Sequence, residues 1–333
     1  MHSLISMLKF KRPQFSDTQK DFCISYIQPL MGKPDKDGNY ILVVGNKPEI
    51  AFAAHHDTVH KDDGYQKLKV TGDTVRLANG STSNCLGADC TTGVWLILEM
   101  IEAGIEGVYL IHSAEESGCV GSKALVDRNP SFLKHTKAII SFDRKGKEDI
   151  ITHQMGYRTC SDDFAVSLDS ILGLSMRPDP TGSYTDSNEY ASKVSECTNI
   201  SVGYLAQHTA NESQDLQFAQ DLRTALINAD WSKLRFSRDP LVVEYDYSGS
   251  WGYPLSRNYA AGYYGGWSDY SYGSTSEEMA TTVSSDDEYE EILDICRSDP
   301  EGIASVLQDF GVAKHELLDM LWEVRYGTKY GTA

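Results

Sequence analysis

Nothing in this chain looks like a membrane span, a nucleic-acid surface or a disulfide framework. Its longest apolar runs, Val94–Leu98 and the Ile200–Leu205 stretch with internal polar residues, fall far short of the roughly 20 residues that a bilayer crossing needs. Basic residues are scarce: 30 Lys and Arg stand against 48 Asp and Glu, for a net charge of −18. That excludes a protein that coats nucleic acid or an anionic membrane, because both need a basic face. Cysteine is sparse as well. Seven in 333 residues is an odd number, without zinc-finger spacing or the density of a stapled secreted scaffold. The opening residues Met1 to Lys9 lack the order of a secretion signal. The expectation is a globular protein of the cytoplasm, with neither nucleic acid nor membrane among its partners. There is no internal repeat.

What is present alternates. Tyr40–Val44, Ile50–Val59, Gly107–Ser113, Lys137–Phe142 and Ile200–Leu205 have strand character, and Thr91–Ala103 has helical apolar spacing. Ser213–Leu234 is expected to be a long amphipathic helix, with Leu216, Ala219, Leu222 and Leu226 on one face. An earlier helix over Ser16–Leu30 would be capped by Ser16 or Asp17. Such alternation predicts an α/β fold: a mainly parallel mixed sheet with helices on both faces.

The texture changes after about residue 244. Tyr245–Gly273 holds eight Tyr, two Trp and six Gly with almost no aliphatic residues, so it cannot build an aliphatic core. From Glu244 onward there are 17 acidic and 5 basic residues, which is 12 of the 18 net negative charges. The expected organisation is a catalytic domain over 1–240, a flexible Tyr/Gly/Ser-rich acidic linker over 241–285, and a small helical segment over 286–328. Ser298-Asp299-Pro300-Glu301 would start one of its helices. That tail could engage a protein partner.

Chemistry concentrates in five stretches near the ends of expected strands: Ala54–Val59 (AHHDTV), Leu86–Gly93 (LGADCTTG), His112–Gly118 (HSAEESG), Ser141–Asp143 and Gln207–Glu212 (QHTANE). Singly each is ordinary, since a His-x-Asp is usually a surface pair and a Glu-Glu before Gly a solvated turn. Jointly they place acids and imidazoles where open α/β sheets bind ligands. Charges gathered there repel unless a cation joins them, and imidazole with carboxylate suits zinc, cobalt or manganese. His55 and Asp57 are two apart, so on a strand they point the same way, and a carboxylate beside a ligating imidazole fixes its tautomer. Glu115 and Glu116 are adjacent and diverge.

The order HxD, GxD, EE, D, H resembles that of the co-catalytic dinuclear zinc exopeptidases, which include leucyl-type aminopeptidases, tripeptidase T, glutamyl aminopeptidases and acetylornithine-deacetylase relatives. The resemblance covers roughly residues 38–228, carried by AHHDTV, LGAD, AEESG and HTANE. It implies the zinc-exopeptidase/phosphorylase-like fold and two divalent metal ions, first of all zinc. His55 would bind one metal, Asp89 would bridge both, and Asp143 would complete the first site. Glu116 and His208 would hold the second with Asp89. Glu115 would be the general base and Asp57 would support His55. A cis peptide is expected between Asp89 and Cys90. Cys90 stands where relatives often carry a polar or acidic residue, and is expected to be a small buried apolar group. His60 stands where relatives often have Pro, and His56 should face away from the site. Ser183–Ser187 resembles a stretch near the substrate, where Asp186 would orient a ligand or substrate amine and Tyr184 would hydrogen-bond an oxyanion. A polar loop capping a helix from Ser187 is the alternative.

Spacing bears on substrate. Asp143 and His208 are 65 residues apart, and His55 and Asp89 are 34 apart. Neither gap holds the inserted dimerisation or lid domain that such relatives carry. What remains is a lid-free aminopeptidase acting on short peptides. An amidase or deacylase on an N-acylated amino acid is a second possibility, and an interaction protein with a vestigial metal centre a third.

Overall fold

The computed structural model describes residues 3–244 and the single position Ile303. The linker expected over 241–285 and the helical segment over 286–328, including the start at Ser298–Glu301, therefore lie almost wholly outside the described residues.

A seven-stranded mixed sheet forms the centre. Its strands are β1 (Tyr40–Val44), β2 (Ile50–His55), β3 (Gly107–His112), β4 (Ala138–Arg144), β5 (Asp149–Ile151), β6 (Arg177–Asp179) and β7 (Glu196–Ser201). They lie in the order β6-β5-β7-β4-β2-β3-β1. The central strands β3, β2, β4 and β7 are mutually parallel, β1 runs antiparallel to β3, and β5 antiparallel to β7. Because β2 is buried along its whole length, its alternate residues feed two cores. Phe52 and Ala54 join one cluster with Tyr109, Ile140 and Trp95; Ala51 and Ala53 join the other with Val108, Leu110 and Ile139. This is the sequence signature of a strand covered on both faces.

Five helices matter for the site: α1 (Asp17–Phe22), α2 (Ala88–Glu102), α3 (Val120–Asp127), α4 (Asp162–Leu172) and α5 (Leu216–Asn228). Helix α2 buries Val94 through Leu98 without a break, as expected of a helix apolar all round. It lies close on the sheet because Gly93 has no side chain: a Cβ there would fall 2.3 Å from the Phe142 carbonyl oxygen. Ser16 caps α1, its hydroxyl accepting from the Gln19 amide at 3.1 Å. The helix expected over Ser16–Leu30 breaks into α1, a π turn at Cys23–Ile27 and a short helix at Gln28–Met31. Pro29 has no amide hydrogen to offer the preceding turn, so the ladder re-forms around it.

Two other boundaries shift. The strand expected over Ile200–Leu205 runs from Glu196 to Ser201 instead, with Tyr204–Leu205 pairing separately. The helix expected over Ser213–Leu234 is shorter at both ends. Ser213–Asp215 pairs as a strand with Thr74–Arg76, and Asp215 then caps α5 by accepting from the Phe218 amide. A small four-stranded sheet, Leu68–Thr71, Thr74–Leu77, Tyr204–Leu205 and Ser213–Asp215, was not foreseen. The last described residues are latched down. Buried Glu196 accepts from Ser161, Ser237 and Arg238, and the Arg238 guanidinium donates to the carbonyls of Arg158, Ala191, Val194 and Ser195. Among the described residues no helix is long and apolar enough to cross a membrane.

Candidate metal centre

The carboxyl ends of β2, β3 and β4 meet at one place. His55 ends β2, Glu115 and Glu116 follow β3, Asp143 lies near the end of β4, and Asp89 opens α2. His208 comes from the turn after Tyr204–Leu205. His55 Nε2 lies 3.2 Å from Asp89 Oδ1, 3.4 Å from Asp143 Oδ1 and 3.8 Å from Glu115 Oε2. His208 Nε2 lies 3.2 Å from Asp89 Oδ2 and 3.2 Å from Glu116 Oε2. Asp89 thus turns one oxygen to each histidine. All five expected ligands and Glu115 are brought together.

The surrounding bonds show how the loops are held. Asp57 is fully buried, its carboxylate accepting from the amides of Glu115 at 3.2 Å and Glu116 at 3.1 Å and lying 3.5 Å from His55 Nδ1. Its backbone oxygen is 3.1 Å from the same nitrogen. Asp143 receives hydrogen bonds from Thr185 (2.9 Å) and Tyr204 (3.3 Å), while the Asn199 amide brackets its backbone. Glu212 accepts four consecutive amides, those of Leu86, Gly87, Ala88 and Asp89, at 2.8–3.2 Å. Sequence reasoning gave Thr185, Tyr204, Asn199 and Glu212 no role. Glu212 alone carried a signal, as the last residue of HTANE. The Asp89–Cys90 peptide is cis, as expected. Ala114, Cys119 and His208 all have left-handed φ between 56° and 62°, and such strained non-glycine backbone collects at functional sites.

The donor set fits divalent cations. Ligand atoms of His55, Asp89 and Glu116 lie within 4.8 Å of one another, and Glu116 Oε1 is buried with no hydrogen-bond partner. Burial, and then the charge of Asp89, pushes the Asp143 carboxyl up to about 7. Burial likewise pushes Glu115 well above the usual carboxylate range, with Asp143, Glu116 and Asp186 adding to the rise against His55. Acids crowded this closely resist joint ionisation until positive charge is supplied.

Other expectations divide. His56 turns away to Gln19 and Gly38, and His60 to Thr58 and Gln66. Cys90 is fully buried. It nonetheless lies within 4.8 Å of His55 and Asp143 ligand atoms while its thiol donates to the Phe142 carbonyl. Asp186 and Tyr184, for which substrate roles are expected, both have protein partners. Asp186 is buried at the start of a 3-10 turn, accepts from Ser122 at 2.6 Å and pairs with His112 Nδ1 at 3.1 Å. Tyr184 spends its hydroxyl on Glu189 at 2.5 Å.

Residues 39–187 match the profile of peptidase family M28, a span that holds every expected ligand except His208. An aminopeptidase PepT from Bacillus cereus is 15% identical, with 68% of this chain and 96% of that one covered at a TM-score of 0.55. A tripeptidase from Staphylococcus aureus is 13% identical over 68% and 95%, at 0.56. The TET1 peptidase of Pyrococcus horikoshii is 17% identical over 68% and 100%, at 0.51. No curated protein matches the chain. The solved structures share this chain's fold. Within that fold, the segment 39–187 carries the M28 pattern.

Proposed function

We propose that this chain is an aminopeptidase that removes N-terminal residues from short peptides, using two divalent cations. The observation that carries this reading is Asp89, whose two oxygens each lie 3.2 Å from a different histidine, with Glu115 alongside. His55, Asp89 and Asp143 would hold one ion, and Asp89, Glu116 and His208 the other, with zinc the first choice for this donor set. When bound, the ions supply Lewis acidity to the scissile carbonyl and lower the pKa of the attacking water.

The chain's own residues do the rest. Glu115 accepts the proton of the attacking water on its carboxylate and returns it to the departing amine. Asp57 holds the amide of Glu115 and the ring of His55 at once, so base and ligand keep a fixed relation. The His208 side chain is 48% exposed while Asp89 and Glu116 beside it are 11% exposed, so the centre meets solvent on the His208 side, from which a peptide's amino end would enter. Six buried cysteines, Cys23, Cys85, Cys90, Cys119, Cys160 and Cys197, are free thiols, which supports a reducing compartment such as the cytoplasm.

The test is a substrate screen: amino-acid p-nitroanilides against N-acetylated amino acids, each with zinc, cobalt and manganese. Turnover of the free-amine set is expected. Hydrolysis confined to the N-acetyl set would replace the aminopeptidase with a deacylase.

A further inference from the structure

The N-terminal arm lies outside the family match, yet one of its side chains reaches between the loops that carry His55 and Asp89. Arg12 is fully buried. Its Nε donates to the His56 carbonyl at 3.0 Å and its Nη2 to Thr91 Oγ1 at 2.8 Å. Its backbone is stitched to the same region: the Arg12 amide donates to Thr58 Oγ1 at 3.2 Å, and the Thr58 amide donates to the Arg12 carbonyl at 3.0 Å. The guanidinium carbon sits 3.9 Å above the centre of the Phe22 ring, which fixes its plane, and Nη1 is buried without a hydrogen-bond partner. Burial lowers its pKa only to about 10, so the group stays charged.

His56 lies between His55 and Asp57, and Thr91 lies two residues beyond Asp89. We infer that Arg12 is a positioning residue of the metal centre: its guanidinium braces the His56 carbonyl against Thr91 and so sets the separation of His55 from Asp89. A planar fork holds two acceptors at a fixed separation, whereas an ammonium group is a compact charge whose donors rotate freely. Desolvating a guanidinium is costly, and Arg12 spends it on neutral acceptors behind the ligands. The inference rests on the two-ion centre proposed above.

The two ways Arg12 could act have opposite signs. As a charge, it repels cations, so its removal would tighten metal binding. As a brace, it keeps donors in register, and removing such support typically costs about 10- to 100-fold in affinity. Cobalt(II) titration of the chelator-treated full chain, followed by its visible d–d bands, separates them. Arg12→Lys keeps the charge and loses the fork; Arg12→Met loses both. The expected result is about 10- to 100-fold weaker cobalt binding in both variants, with altered bands, while far-ultraviolet circular dichroism stays as in the unaltered protein. Unchanged affinity and bands in both would overturn the inference, as would tighter binding in Arg12→Met beside an unchanged Arg12→Lys. Should the Arg12 variants not fold, Thr91→Val removes the Nη2 acceptor and Thr91→Ser keeps it. Weakening in the first and recovery in the second supports the brace; equal binding in both rejects it. An unaltered chain that takes up no cobalt would instead sink the metal centre itself.

Discussion

Glu115 and Glu116 are neighbours for which different duties are proposed, and single side chains carry the sharpest tests. Glu115→Gln keeps the shape and removes the proton acceptor, so turnover should drop by about 10²- to 10⁴-fold with metal content near that of the unaltered protein. Kinetics and elemental analysis on the same preparation check this, and unimpaired turnover would reject Glu115 as base. His60 offers a pH test away from the ions. Burial, and then the charge of Arg12, lowers its pKa from 6.5 to about 4. Between those values the unfolded chain takes up a proton that the folded chain refuses, so stability falls as pH drops through that window and levels off above it. The ceiling is about 3 kcal/mol. His60→Gln should flatten this part of the curve, read as the difference in urea midpoints between pH 7 and pH 4.5; identical slopes would remove His60 from the account. At this scale the sequence showed residues whose type names their chemistry. It did not show Thr185, Asn199 or Tyr204, because a hydroxyl or amide that holds Asp143 looks in sequence like any strand or turn residue.

Among the elements, the contact between α2 and β4 governs how Asp89 meets Asp143. Ala at position 93 would gain about 1 kcal/mol of helix preference. The same methyl would stand 2.3 Å from a backbone oxygen and 2.5 Å from Cys90 Sγ, and such overpacking costs about 1–3 kcal/mol. The clash wins, so Gly93→Ala should lower Tm by several degrees, checked by calorimetry on the metal-free protein; a raised Tm would show that α2 can lift off the sheet without penalty. Strand identity was legible where both faces are buried, as in Ile50–His55 and Gly107–His112, because long apolar runs survive in the sequence. Boundaries were lost where a local polar residue decides: Asp215 ends a strand and caps a helix in one step, and a periodicity of leucines cannot register that. The hairpin over Leu68–Leu77 was missed because its residues are mostly exposed and leave only a weak alternation.

For the molecule as a whole, Glu196 holding the amides of Ser237 and Arg238, with the Arg238 guanidinium on four carbonyls, closes the described fold near Glu244, whose carbonyl accepts from the Arg158 amide at 2.9 Å. A chain ending after Glu244 is therefore expected to fold and to keep the peptidase activity proposed for the full chain, measured by circular dichroism and by turnover; activity in the full chain but not in the shortened one would place part of the catalytic apparatus in the tail. Chelation should lower the Tm of the full chain and added zinc restore it, because ions held only by the folded form stabilise it; a Tm indifferent to both would count against bound ions. Asp57 has a last consequence. One carboxylate tethers the imidazole of one strand and the peptide units of the next, so those two strand tips behave as a single lever. Lengthening the tether by one methylene, as in Asp57→Glu, would displace both tips together, and impaired ion uptake and impaired turnover would arrive as one inseparable defect.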